Sequence, residues 1–280
     1  MSKVVDGRQR LTAIFDFLDN KFKLSELHIM KEQSGKLFKD LEPLLRAKIE
    51  EYQIQSYIIK PPTPEKIKFD IFDRVNRGGS RLKDQEMRNA LHQGKSTKLI
   101  KELANSDEFK KATGYAISNK RMKDRYIIIR FLSFYMLKKE WFTEARIEYK
   151  SDIYDFLAKT MDFINGLPDE KIYDLKKIFL QAMERSYKII GEDCFRFAPR
   201  SDGGNKRPIN MALFEVLTFL FSNDCIDSIP QKIVKNKVED IKKTFDLSGN
   251  FTTPIDNSVK VNDRFLSINN FLGELMNDKK

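Results

Sequence analysis

The sequence predicts an α+β protein that is mostly α, with strands confined to the amino-terminal part. The short β-branched and aromatic runs that we interpret as strands lie before residue 60, whereas apolar residues at helical spacing dominate the remainder of the chain. Apolar residues make up 41% and charged residues 33% of the 280 residues, which is the balance of a soluble globular protein. A chain of this length can bury a core that needs no disulfide or metal staple.

The amino-terminal part is predicted to alternate between strands and helices. The strands are predicted at 3–5, 22–30 (one strand or two) and 54–59. The first helix follows Asp6-Gly7 and should bury Leu11, Ile14, Phe15 and Leu18. Further helices are predicted from Pro43, from Thr63 to the glycines at 78 and 79, over 84–93, and after Ser96 as the N-cap.

The carboxy-terminal part is predicted to be almost entirely helical. Helices are expected at 122–140, 151–165, 168–190, 208–222, 229–244 and 263–276. The apolar run 126–137 should be a buried helix, since Arg130 interrupts it and it is too short to cross a bilayer. The change in character near 110–122 predicts two domains, residues 1–112 and 113–280.

The net charge and the cysteine content indicate the kind of partner and the cellular compartment to expect. The net charge of +10 suits a nucleotide or nucleic-acid partner, although a solvated lysine-rich surface explains it equally well. The two cysteines form no CxxC pair, which favours a reducing cytoplasm over a disulfide or zinc framework. No apolar segment resembles a signal peptide, so a cytoplasmic location without membrane contact is expected.

The segment DGRQR at residues 6–10 is the first with chemical character. Gly7 permits a sharp turn from strand to helix, and the helix N-terminus offers free N–H groups to phosphate. Arg8 and Arg10 can each bind phosphate oxygens through two N–H groups, Asp6 could hold Mg²⁺, and Gln9 could orient a water. A turn followed by an amphipathic helix with surface arginines is the alternative interpretation.

A second polar segment, residues 72–94, favours the phosphate-binding interpretation of residues 6–10 over the ordinary turn and helix. One predicted helix ends at Asn76-Arg77 and two glycines, and the next carries Glu86, Arg88 and Asn89. Helix capping and an ion pair between residues 84 and 88 explain some of these residues but not their density.

Together the two segments resemble the family named for the N-terminal domain of the GmrSD modification-dependent restriction endonucleases. That family has a DGQQR-type motif followed by F-x-x-x-N-x-x-G-x-x-L-x-x-Q-E-x-R-N-A. The second pattern is matched here by Phe72, Asn76, Gly79, Leu82, Gln85, Glu86, Arg88, Asn89 and Ala90. Thinner similarity continues at Arg130-Phe131-Leu132, Phe195-Arg196, Arg207 to Asn210, Leu213 to Glu215, and Ser258 to Arg264.

The resemblance implies a ParB/sulfiredoxin-like core with a helical extension. It also implies binding, and often hydrolysis, of a nucleoside triphosphate with Mg²⁺, coupled to the sensing or cutting of modified phage DNA. Asp6, Gln9 and Arg10 would be catalytic, with Asp6 also the metal ligand. The residues expected to bind the nucleotide are Gly7, Arg8, Thr12, Asn76, Arg77, Gly79, Glu86, Arg88 and Asn89.

Two departures from the family pattern affect these expectations. Arg8 stands where the family has the first Gln of its motif, which weakens the expectation of hydrolysis but not that of binding. Family members also carry several tens of residues before this strand, with a Q-R-x-Y/F-x-W-like segment and further strands. We therefore expect an N-terminally truncated ParB/sulfiredoxin-like core, or a partner chain that supplies the missing strands.

Other chemistry is sparse in the sequence. His28 and His92 lack the neighbours of an HNH nuclease, so any cleavage is expected from a separate nuclease subunit, and His92 is predicted to end a helix. The loop at 194–208 is a candidate for contact with the DNA backbone, or else an ordinary solvated loop. Its cations are Arg196, Arg200, Lys206 and Arg207.

Three functions therefore stay open. The first is a nucleotide-binding, hydrolysing regulatory component of a restriction or phage-defence system. The second is a non-enzymatic module for DNA or a partner protein that keeps a vestigial anion site. The third is a fragment that is stable only as a homo-oligomer.

Overall fold

The structure, a computed structural model, describes residues 7–56, 58, 59, 63, 64, 67, 68, 70, 71, 74, 82–201 and 203–277. The chain divides into two units, residues 1–81 and 82–280. The predicted strand at 3–5 lies outside the described residues. Residues 82–112 form helices that pack within the second unit, and the assignment of 1–112 to one nucleotide-binding domain stays a prediction.

The first unit contains two α-helices among its described residues, α1 (Arg8–Leu18) and α2 (Pro43–Glu50). Short 3₁₀ turns lie between them at Lys31–Gln33 and Phe38–Asp40. Residues 67, 68, 70, 71 and 74 are helical, in agreement with the helix predicted after Thr63. A small cluster of Phe17, Phe38 and Leu41 is buried here, with the rings of the two phenylalanines 5.8 Å apart.

The predicted buried face of α1 is wrong in part. Ile14 and Phe15 are 39% and 58% exposed, whereas Phe17 is buried against Phe22 and Phe38. Helical periodicity located the helix correctly. It did not identify the side that packs, because apolar residues occur on both sides of α1.

No residue that the structure describes lies in a β-strand, so the strands predicted at 22–30 and 54–59 are not confirmed. Leu24 exchanges backbone hydrogen bonds with the turn after it: its N–H donates to Lys36 O and its carbonyl accepts from Gly35 N–H. The pairing stops there because Glu26 and Met30 have φ of 55° and 62°, which a strand does not allow. The mostly helical character is confirmed; the ParB/sulfiredoxin-like core stays a prediction.

The second unit is a bundle of α-helices. Its helices are α3 (Asp84–Leu91), α4 (Lys95–Asn105), α5 (Asp107–Ala112), α6 (Lys123–Lys138), α7 (Ile153–Gly166), α8 (Asp169–Ile189), α9 (Met211–Phe221), α10 (Gln231–Leu247) and α11 (Ser258–Asn277). Helix α9 is buried along nearly its whole length and packs against α6, α8 and α11. The apolar run 126–137 is buried within α6, as predicted, although its last residue is only partly covered.

Two local expectations need correction. Ser96 does not cap α4; Gly94 precedes the helix, and Ser96 is buried inside its first turn with its N–H donating to Asn165 Oδ1 at 2.8 Å. Helix α5 was missed because it is short; its cap is Ser106, whose Oγ accepts from Phe109 N–H. Among the helices described, none is long and apolar enough to cross a membrane.

Candidate functional site

The first motif segment begins α1. Gly7 is the N-cap with φ of 84°, a left-handed conformation that glycine adopts without strain, and Arg8 is the first helical residue. The side chains of Gln9, Arg10 and Thr12 are exposed, while Asp6 lies outside the described residues. The predicted turn from Gly7 into a helix is therefore confirmed.

Because α1 has no N-cap side chain, its start is suited to binding an anion. Glycine has no side-chain oxygen that could accept from the N–H groups of the first turn, and the first turn contains no acidic residue. Such an end carries partial positive charge and can receive an anion. The guanidinium of Arg10 lies on the same side, since its Nη2 is 3.7 Å from the position of a Cβ built on Gly7.

In the second segment, Glu86 stabilises the start of α3. Its Oε2 accepts from Lys83 N–H at 2.8 Å and lies 3.3 Å from Arg121 Nη1. Asn89 is partly buried on the same helix. The predicted nucleotide ligands Asn76, Arg77 and Gly79 lie outside the described residues.

Arg88 is the most buried of the predicted ligands. Its side chain is fully buried, its Nη1 donates to Gln85 Oε1 at 2.6 Å, and its guanidinium carbon lies 6.0 Å from the ring centres of both Tyr126 and Tyr154. Burial lowers the pKa of this guanidinium, and the nearby Tyr126 and Asp84 partly offset that effect. Arg88 thus anchors α3 to α6 and α7, and its role as a nucleotide ligand stays a prediction.

The 194–208 loop uses most of its charge within the chain. Lys206 Nζ lies 2.6 Å from Glu192 Oε1 and 3.0 Å from Asp193 Oδ2. Arg207 forms a two-point ion pair with Asp246, with Nη2 2.9 Å from Oδ1.

Arg196 is likewise engaged, since its Nε is 3.4 Å from Asp193 Oδ1 and its Nη1 donates to the carbonyl of Arg207. Of the four cations named in this loop, Arg200 is the fully exposed one with no ion pair to a described residue. To bind DNA phosphates, the other three would have to exchange existing partners, so the predicted DNA contact gains no support here.

A buried ion network lies at the centre of the second unit, and sequence reasoning did not predict it. Arg130 Nε is 2.5 Å from Glu215 Oε1, and Arg264 Nη2 is 3.4 Å from Glu215 Oε2, with all three side chains fully buried. Arg130 Nη1 also lies 2.7 Å from Asp256 Oδ1. The guanidinium of Arg264 donates to the carbonyls of Asn250 and Ile255.

The electrostatics of this network follow from burial and pairing. Burial by itself would lower the pKa of Arg130, but the carboxylates of Glu215 and Asp256, together with Tyr126, raise it above the ordinary value. Burial lowers the pKa of Arg264, which Glu215 partly offsets. A signal was present in the sequence, because Arg130 and Glu215 are isolated charges within the apolar stretches 126–137 and 211–221, and a charge buried there needs a partner.

The histidines and cysteines form no catalytic constellation that the structure describes. His92 ends α3 as predicted, and its Nδ1 lies 2.9 Å from Asp162 Oδ1. Cys194 is buried and Cys225 partly buried, both as free thiols. Across the described residues, no group of three or more His, Cys, Asp or Glu side chains could hold a metal ion.

Comparison with protein families adds one finding to this geometry. A family model described as "GmrSD restriction endonuclease, N-terminal domain" matches residues 2–93. Residues 2–93, about a third of the chain, are thus similar to this family. The GmrSD match contains both motif segments, DGRQR and the segment that ends with α3, whereas the buried ion network lies beyond it. A comparison with curated proteins gave no match, and a comparison with solved structures gave none either.

Proposed function

We propose that this chain is a regulatory component of a modification-dependent restriction or phage-defence system and binds a nucleoside triphosphate through its first motif segment. The observation that carries the proposal is the start of α1, where a left-handed Gly7 leaves the first N–H groups without an N-cap side chain and Arg10 lies beside them. The GmrSD match over residues 2–93 supports the choice of system.

The physical basis is the fit between this helix start and a phosphate group. Backbone N–H groups and the helix dipole favour a negative charge at the N-terminus. Arg10 can donate two parallel N–H groups to phosphate oxygens, which holds the phosphate in a fixed orientation. Arg8, Thr12, Glu86, Arg88 and Asn89 remain proposed nucleotide contacts, as do Asn76, Arg77 and Gly79.

The proposal also includes hydrolysis of the bound nucleoside triphosphate. Gln9 is exposed one residue after the helix begins, where its amide could orient a water toward a phosphate bound at the helix start. Mg²⁺ would be held by Asp6, which lies outside the described residues, and the described residues nearby are hydrogen-bond donors that suit phosphate more than metal.

Cleavage of DNA is assigned to a partner. A nuclease subunit that responds to nucleotide binding would complete the restriction function. The proposed partners of this chain are thus a nucleoside triphosphate, a nuclease subunit and DNA.

Nucleotide binding can be tested with fluorescently labelled ATP, GTP, CTP and UTP, with and without Mg²⁺, followed by anisotropy. Arg10→Ala should weaken binding at least tenfold because a charge-assisted, two-point phosphate contact is lost, whereas Lys48→Ala on exposed α2 should not. Equal affinities of the two variants would contradict the proposed site, as would a wild-type chain that binds none of the four at 1 mM, roughly the upper limit of ordinary enzyme–substrate affinities.

The second candidate function is non-enzymatic binding of DNA or a protein, which the net charge of +10 favours. Phosphate release measured in the same samples separates the two. Binding without release over hours would favour the non-enzymatic module.

A further inference from the structure

A second basic segment, residues 110–125, follows α5 and leads into α6. It contains six cationic side chains and a single acid, Asp124, which is buried. Lys111, Lys120, Arg121 and Lys123 are exposed. The segment is therefore a concentrated positive surface on the second unit.

The backbone of the 110–125 segment is left-handed at three residues that are not glycine. Tyr115, Arg121 and Met122 have φ of 55°, 56° and 55°, each in the left-handed region that bulky residues avoid. Hydrogen bonds from Tyr115 N–H to Lys110 O and from Met122 N–H to Asn119 O stabilise these turns. Backbone strain of this kind is concentrated at functional sites in proteins.

The charge of this segment is largely uncompensated, in contrast to the 194–208 loop. Lys111, Lys120 and Lys123 form no ion pair with any residue that the structure describes, whereas Arg121 is paired with Glu86. Asp107 and Glu108 lie within one turn of Lys111 on α5 but form no ion pair with it. Glu192, whose Cβ would lie 3.1 Å from a Cβ at Gly114, already pairs its carboxylate with Lys206.

We propose that the 110–125 segment is the surface through which this chain contacts the phosphate backbone of duplex DNA, with Lys111, Lys120 and Lys123 as the contacting cations. Exposed lysines without acidic partners can neutralise phosphates and release the bound counterions at little cost. The 194–208 loop, which has four cations, lacks this freedom because three of them are paired.

A row of phosphates fits this surface better than a single nucleotide does. The lysines come from three separate elements, the end of α5, the 3₁₀ turn at Lys120–Met122 and the start of α6. The inference rests on the proposed function only in taking DNA as the polyanion.

The test is anisotropy of a fluorescent 20-base-pair duplex titrated with the full chain at several salt concentrations. The triple variant Lys111→Ala, Lys120→Ala, Lys123→Ala should lower affinity at least tenfold at low salt. It should also reduce the slope of log affinity against log salt by about 2 to 3, since each phosphate contact contributes about 0.9.

The matched control removes the same charge elsewhere on the second unit. Lys177, Lys232 and Lys235 are exposed and form no ion pair with a described residue, so their triple alanine variant has the same net charge. It should keep the wild-type slope. Equal losses in both triple variants would overturn the inference by showing an effect of total charge alone, and absence of duplex binding by the wild-type chain would also overturn it. Nucleotide binding by the same samples is measured separately. A negative result for duplex DNA can therefore be distinguished from a negative result for the proposed nucleotide site at Arg10.

Discussion

The carboxylate of Glu215 links the two buried arginines of the second unit. Its oxygens face Arg130 at 2.5 Å and Arg264 at 3.4 Å, and no solvent reaches any of the three side chains. A buried ion pair adds little net stability over apolar packing, but removing one partner leaves a charge buried without compensation. Substitution of Glu215 should therefore lower the free energy of unfolding strongly.

We predict that Glu215→Gln lowers the free energy of unfolding by about 3–5 kcal/mol, because two guanidiniums then remain buried beside a neutral amide. Thr218→Val, one turn away on α9, is the control. Its hydroxyl is buried with no hydrogen-bond partner among the described residues, so the apolar isostere should be neutral or slightly stabilising. Urea denaturation followed by circular dichroism measures both, and similar losses in the two variants would contradict this account of the network.

At the scale of elements, the junction between α3 and α4 depends on one glycine. Gly94 has φ of 156°, and a Cβ at this position would lie 2.4 Å from Asn165 Oδ1. That same oxygen accepts from Ser96 N–H in the first turn of α4. The glycine therefore lets α7 cap α4 through Asn165.

Gly94→Ala should destabilise the chain by about 1–3 kcal/mol, because the added methyl group displaces Asn165 and imposes an unfavourable φ. Gly166→Ala is the matched control, since nothing lies within 4 Å of its Cβ position and its φ is ordinary. The control should be neutral or stabilising by about 0.4–1 kcal/mol. Thermal melts of both variants beside the wild type provide the measurement; a stabilised Gly94→Ala variant would exclude the proposed contact.

The sequence predicted helices more successfully than it predicted what they contact. Periodicity and capping residues located α6 to α10 within a few residues, because a long amphipathic helix has a strong local signature. The ion pairs of the network and the Asn165 cap join residues 49 or more positions apart in sequence, and no local pattern encodes such partners. In the site, Gly7 was identified by its turn chemistry, whereas the burial of Arg88 depends on Tyr126 and Tyr154 from other helices.

At the scale of the whole molecule, the two units differ greatly in what they bury. The second unit has one continuous apolar core that extends through α4 to α11, and Arg130, Glu215 and Arg264 of its ion network are fully buried there. Among the described residues of the first unit, the buried apolar cluster comprises Phe17, Phe38 and Leu41. Because apolar burial is the main favourable contribution to folding, most of the stabilising free energy should belong to residues 82–280.

We therefore predict that residues 82–280, expressed alone, fold into a helical domain with a single cooperative unfolding transition. This core and the ion network are built from residues 82–280, so the domain should not need residues 1–81 in order to fold. Far-ultraviolet circular dichroism and urea denaturation of the fragment, compared with the full chain, measure this. A broad transition together with strong binding of a hydrophobic dye would contradict the prediction, since these are the signs of a loosely packed core. The same fragment retains the 110–125 segment but lacks Gly7 to Arg10, so it should bind duplex DNA and not nucleotide.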